Sequence, residues 1–490
     1  VKVKQLISIV KNNKALTLIV LLFALILGSV TFANHYYFRT YNLDLGAYTN
    51  AMYDYIHFRW HDSMSFKTIP ENLLADHFDI YLILFSPLTL IFKSYSLLVV
   101  QWLAILIGGI GVYKVVLFKS SKNYLALLSI IHFYLFFGII AALNFDYHSN
   151  VVASMIVPWF MLAVFQQKLR IATILLVCIF IGKENMALWM ILLTAGLAID
   201  QWKVKNVRNY LLLMSVFSVL AFVAIVGFIM PAISNAGKYP HFNYSALGTN
   251  GKEAILFLLQ HPLDSIKMMF TNHIQDPAAD YIKAETYIFL CLAGLPFLLK
   301  KPQYLLMLVP VFFQKMFHDN YFMWSHSAQY SIEFAPILSI GVFVVLSDFK
   351  SKAVHYSLGV LAIILTFSAT FRSTDNTIYW TDKSRLRIYA AEHYERNFDV
   401  KLVHRQLNNL PKDAVVSAQC PFVPHISLRD RVYEFPRIDD AEYVVFHYKE
   451  VPAPLTQEDF IKVTDELLAS GDWHVQLKKN DLVILKRKKK

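Results

Sequence analysis

Apolar runs long enough to cross a bilayer recur from about residue 15 to about residue 371 and then stop. A spanning helix needs about 20 mostly apolar residues, because every backbone N–H and C=O in hydrocarbon must be paired within the segment. A chain with this pattern has few alternatives to a bundle of membrane helices. The composition agrees: 56% of residues are hydrophobic and 17% charged, and mean hydropathy is +0.43, more apolar surface than a soluble domain can hide. The expected architecture is an α-helical polytopic membrane body over 1–371 with about eleven spans, followed by a small α/β soluble domain over 372–490.

The spans are expected near 15–34, 97–117, 122–143, 151–166, 169–182, 184–199, 208–231, 284–299, 303–317, 328–347 and 353–371. The run 16–33 is too long for a secretory signal core and should stay in the chain as the first of them. Basic residues then gather in alternate connections. Lys2, Lys4, Lys11 and Lys14 are followed by Lys114, Lys119 and Lys122, by Lys168 and Arg170, by Lys203, Lys205 and Arg208, by Lys300 and Lys301, and by Lys350 and Lys352. All fall on one side, which the positive-inside rule makes cytoplasmic. The N-terminus is therefore expected in the cytoplasm and the C-terminal domain outside, in a bacterial inner membrane. This requires the apolar stretch 78–92 not to cross; Pro87 breaks it into an interfacial or re-entrant segment. Two long external regions result, 35–96 and 232–283.

The net charge of +11 is accounted for by these headgroup-facing clusters, and no nucleic-acid motif accompanies it. Cys178, Cys291 and Cys420 have no metal-type or disulfide-type spacing. In the tail, 401–410 reads as a helix, 414–418 and 443–447 as strands, 456–470 as an amphipathic helix and 473–486 as a hairpin turning at Lys479 and Asn480. The terminal basic run 486–490 is solvated or touches lipid.

Acids and histidines concentrate at the external ends: Asp44, Asp76 and His77, Asp146 and His148, Lys183 and Glu184, His318 and Asp319, His326 and Glu333. Ionisable groups at the bilayer boundary are costly, so their convergence on one face points to a site. Asp44 precedes Leu45, Tyr48, Met52 and Tyr55 at helical spacing. It reads either as the N-cap of that amphipathic helix or as a carboxylate able to take a proton from an acceptor hydroxyl. Lys183 and Glu184 read as a helix-hairpin ion pair or as a phosphate clamp at membrane depth. Asp76, His77 and Asp146, with His148 nearby, read as ligands for a divalent metal ion or as a structural hydrogen-bond network. Glu333 needs a partner, with His326 or Lys315 the candidates.

Asp44-Leu45-Gly46, His77-Phe78, Ser86-Pro87, Asp146-Tyr147-His148, Lys183-Glu184-Asn185, Gln329-Tyr330 and Pro336 occur in this order, with 410–418 and Pro424-His425-Ile426-Ser427 in the tail. Taken together they resemble the bacterial membrane proteins grouped as domain of unknown function 2079, which are similar to the GT-C glycosyltransferase superfamily. The resemblance implies a first external loop carrying the catalytic acid, at Asp44, beneath external amphipathic helices that roof a lipid-facing cavity. It also implies a polyprenyl-phosphate sugar as donor and transfer to a protein, lipid or glycan on the external face, the particular acceptor being unknown; from the residues themselves, Lys183, Glu184, His148 and Glu333 are the candidates for binding the substrate and its phosphate. A transporter or lipid-handling protein, or an envelope-assembly scaffold without chemistry, is the rival reading; the absence of an internal repeat weighs against the transporter.

Overall fold

The computed structural model describes residues 13–60, 65, 71–379 and 382–488. The N-terminal lysines 2, 4 and 11 and the last two lysines of the terminal run lie outside the described residues. Each expected span overlaps a helix or a broken helix, though 328–347 is helical only over Phe334–Leu346 and 284–299 is the helix Ile282–Leu292 followed by the 3-10 turn Leu295–Lys300. Among the described residues, four helical stretches can cross a membrane by length and composition alone: Lys14–Tyr36, Tyr81–Ser120, Lys205–Ile233 and Lys352–Asp375. The pair Asn123–Tyr134 and Phe137–Asn144, bent by 41°, makes a fifth. The remaining apolar helices, such as Leu169–Phe180 with 12 residues and Phe334–Leu346 with 13, are shorter than a bilayer is thick.

Burial follows the solvent expected. Phe334–Leu346 is buried along its whole length and forms the centre of the bundle, whereas Leu212, Leu213, Val216 and Leu220 on the Lys205–Ala224 helix are exposed, the signature of a surface that faces acyl chains. At one end of the bundle the short connections are tied by ion pairs: Lys119 to Asp200 at 2.8 Å and Lys301 to Asp348 at 2.9 Å. Lys122 also donates to the Ser347 carbonyl at 2.9 Å. The basic connections thus share one end, and the two acids found among them are consumed by their lysines.

The 78–92 stretch is a chain of short helical turns, Tyr81–Phe85, Ser86–Leu88 and Thr89–Phe92, leading into the Ser96–Ser120 helix through Lys93 at φ 51°. Leu84, Leu90 and Ile91 are exposed along it.

The C-terminal unit is a five-stranded mixed sheet in the order β2-β1-β3-β5-β4, with β1 Val416–Ala418, β2 Val432–Glu434, β3 Tyr443–His447, β4 Trp473–Lys479 and β5 Leu482–Arg487. Strand β1 is parallel to β2 and β3, and β3 is antiparallel to β5. The hairpin turns through Asn480 and Asp481, both at positive φ, a conformation asparagine and aspartate tolerate better than most residues. Helices Val400–Asn408 and Gln457–Ala469 cover the sheet. Strand β2 carries no alternation over its three residues, which is why the sequence pattern does not disclose it.

This sheet domain is fastened to the segment that follows the first helix. Arg39 donates to the carbonyls of His393, Glu392 and Glu395, each at 2.7 Å, and Asn50 donates to those of Ser427 and Arg429 at 3.0 and 2.8 Å. Phe38 is buried in the sheet domain's own core, and the rings of His35 and His425 stack with centroids 4.1 Å apart. A Cβ at Gly46 would lie 3.1 Å from Val423 and 2.7 Å from the Asn42 side chain, so the close approach of the two units uses the missing side chain.

Candidate functional site

Asp44 lies in a π-helical turn, Asn42–Gly46, at the start of the helix Ala47–Ile56. The N-cap of that helix is Gly46 and has no side-chain cap bond, so the capping role expected for Asp44 is not the one it has. The amphipathic reading of the helix does hold, with Leu45, Tyr48, Met52 and Tyr55 all buried. Released from capping, the carboxylate stands 3.5 Å from Nε2 of His148 and lines a cavity of about 430 Å³. His77, Lys183, Glu184, His241, Lys315 and Glu333 line the same cavity. Residues separated by up to 289 positions in the chain (44 to 333) therefore share one space.

Burial pushes the Asp44 carboxyl up, but His148, with Lys183 and His77 farther off, outweighs it and holds the group below its ordinary value. Burial pushes His148 down despite the carboxylate. Both shifts keep the pair as carboxylate and neutral imidazole at pH 7.

The turn carrying His148 is built by a residue no motif indicates. Gln101, fully buried in the Ser96–Ser120 helix, donates to the Asp146 carbonyl at 2.7 Å and accepts from the His148 amide at 2.8 Å. Asp146 itself adopts φ 54° and points away from the cavity. Its carboxylate accepts from the Tyr41 amide at 2.8 Å and pairs with Arg385 at 3.5 Å. Burial pushes that carboxyl up to about 7, against the pull of Arg385. Asp146 thus joins the turn before His148 to the turn before Asp44, and it does not join the metal-type cluster in which it was expected.

The cluster that does form is Asp76, His77 and His241, each offering one ligand atom, all within 4.8 Å of one another. The two imidazole rings stack with centroids 4.4 Å apart. His77 uses Nδ1 on Glu184 at 3.1 Å, which fixes its ring as an outer-shell carboxylate does for a metal-binding histidine. Burial lowers His241 to about 4, so its ring is neutral at pH 7. His241 lies in the second long loop, and nothing in its neighbours sets it apart from the other histidines of the chain.

Two expected partnerships are replaced. Glu184 gives its oxygens to His77 and to the Phe78 amide, both at 3.1 Å, partners from the first long external region in place of the adjacent Lys183. Glu333 accepts from Asn150 at 2.9 Å, while Lys315 donates to the carbonyls of Met323 and Ser325 and His326 stands 4.0 Å from Glu285. Asn185 donates to Gln314 at 3.0 Å and closes the cavity between its two helices. Asp79, also absent from the sequence reading, is buried behind this wall, and burial pushes its carboxyl up to about 8.

The chain is thus a helical membrane body whose first loop carries an acid at the edge of a cavity, with a small sheet domain packed against that loop. The fold is similar to that of ArnT from Cupriavidus metallidurans, solved bound to undecaprenyl phosphate, with a TM-score of 0.52, 8% sequence identity, and coverage of 96% of this chain and 97% of that one. At that identity the likeness is one of fold. The chain belongs to the DUF2079 family of predicted membrane proteins, whose model matches residues 34–484. No curated protein matches it. It is thus a multi-pass membrane protein with a GT-C-like fold.

Proposed function

We propose that the protein is a membrane glycosyltransferase that moves a sugar from a polyprenyl-phosphate-type lipid donor to an acceptor at the outer face of the bacterial inner membrane. The observation that carries this reading is that Asp44 and Lys183 line one cavity, so a base and a cation stand on the same space. Lys183 receives the donor phosphate and Asp44 accepts the acceptor's proton, while His148 orients the carboxylate. General-base catalysis of this kind contributes roughly 10²–10⁴ in rate.

Asp76, His77 and His241 fit a divalent cation of the zinc or manganese type, since one carboxylate and two imidazoles are a common donor set for such ions. Bound there, the ion would supply positive charge beside the donor phosphate. The fold likeness to ArnT supports a lipid-phosphate partner, and the basic clusters at the opposite end support an outward-facing site.

The test is Asp44→Asn, which keeps the size of the side chain and removes charge and basicity. In membranes supplied with radiolabelled polyprenyl-phosphate sugar, the variant should fold normally and lose transfer by at least 100-fold, within the general-base range. Undiminished transfer would remove Asp44 from the chemistry and return the protein to lipid handling.

A further inference from the structure

A second cavity, of about 560 Å³, opens between the sheet domain and the Asp44 turn. Ser65, Glu434, Pro436, Arg437 and Asp439 line it, with Pro454 on the far wall and Leu43 on the side of the membrane body. Leu43 lines the first cavity as well, so the two spaces both border one residue, next in the chain to Asp44. That residue is 61% exposed and is not packed into a core.

We propose that this second cavity binds the acceptor, that the acceptor is a neutral glycan, and that it presents a hydroxyl past Leu43 to Asp44. The proposal rests on the glycosyltransferase reading and adds the acceptor's class and route. Arg437 and Asp439 pair with each other at 2.7 Å, which leaves Glu434 as the uncompensated charge among the described lining residues, and a carboxylate there disfavours an anionic acceptor by like-charge repulsion. Carboxylate and guanidinium groups suit vicinal hydroxyls, accepting and donating in turn, and Pro436 and Pro454 offer flat apolar faces to the C–H side of a pyranose ring. The Ser65 hydroxyl is buried without a hydrogen-bond partner, a group that a ligand hydroxyl or water would satisfy. The size is within the range of small-molecule sites, about 300–1,000 Å³.

The site is also wired to the base. Asn42 donates to Glu434 at 2.7 Å and stands two residues before Asp44 in the same π-helical turn. A glycan held by Glu434 therefore bears on the turn that carries the carboxylate. In the transfer step the acceptor oxygen bonds to the anomeric carbon and its proton passes to Asp44. The bond from that carbon to the phosphate oxygen breaks, with its electron pair leaving on the polyprenyl phosphate.

The experiment uses the full chain in lipid nanodiscs on a printed array carrying neutral oligosaccharides of glucose, galactose and N-acetylglucosamine beside sialylated and phosphorylated ones. The wild type should retain neutral glycans and reject anionic ones. Arg437→Ala and Asp439→Asn should each weaken binding at least tenfold. Leu43→Trp, which alters an exposed side chain and so spares the fold, should do the same by adding bulk at the shared border. Asp44→Asn should bind like the wild type, so that loss of transfer with retained binding separates the two proposals. Failure to bind neutral glycans, preference for anionic ones, or binding indifferent to both Arg437→Ala and Leu43→Trp would overturn the acceptor assignment whatever the outcome for Asp44.

Discussion

Replacing Gln101 with leucine keeps the volume of a buried side chain and deletes its two polar functions. The Asp146 carbonyl and the His148 amide, held at 2.7 and 2.8 Å, lose their partner. In a soluble protein each buried orphan costs about 1–3 kcal/mol. Interhelical hydrogen bonds in membrane proteins are worth less, about 0.6 and up to about 1.7 kcal/mol, so the two together should cost about 1–3 kcal/mol. If they are broken in the unfolding transition state, the half-life of the folded protein in detergent shortens roughly 5- to 150-fold at a fixed temperature. The measurement is residual monodisperse protein by size-exclusion chromatography after timed heating. Because the same glutamine sets the turn that aims His148 at Asp44, transfer should fall in freshly purified, still folded protein too. A variant as long-lived and as active as the wild type would refute the claim that Gln101 holds this turn.

Three further outcomes are expected. The His148 ring is held neutral and the Asp44 carboxyl below its ordinary value. As pH falls through the depressed carboxylate value, below roughly 4, Asp44's contribution to activity and stability should be lost; an activity limb centred near 6.5 that disappears in His148→Gln would contradict the lowered His148. Zinc or manganese added to chelator-treated protein should raise its melting temperature by several degrees, an effect that His241→Gln removes while leaving the metal-free melting point within about 2 °C; equal shifts in both proteins would eliminate the Asp76–His77–His241 site. Cysteines introduced at Asn480, in the hairpin turn of the sheet domain, and at Lys203, in a basic connection, should label oppositely with an impermeant reagent applied to intact cells, the first reacting and the second protected; the reverse pattern would invert the proposed orientation.

The membrane body was legible in the sequence because a bilayer imposes a one-dimensional rule: a segment must be apolar over about 20 residues and carry its own hydrogen bonds, and both conditions are local. The hairpin and helices of the tail were legible for the same reason, since periodicity and turn residues such as Asn480 act over a few positions. Asp44, His77, His148, Lys183, Glu184 and Glu333 could be gathered as candidates because charge at a membrane edge is costly wherever it occurs. A lone glutamine in the 25-residue Ser96–Ser120 helix was a similar signal, and Gln101 could have been found by it. Which group meets which was decided only in three dimensions. Asp146 turns to Tyr41 and Arg385, His241 takes its place beside Asp76 and His77, and Asn150, not His326 or Lys315, reaches Glu333. Hydrogen-bond geometry falls off within an ångström or so, and such distances between residues a hundred or more positions apart come from how helices stack. The shared border at Leu43 is of the same kind: it exists because the sheet domain folds back onto the turn before the first loop helix, a contact no local pattern encodes.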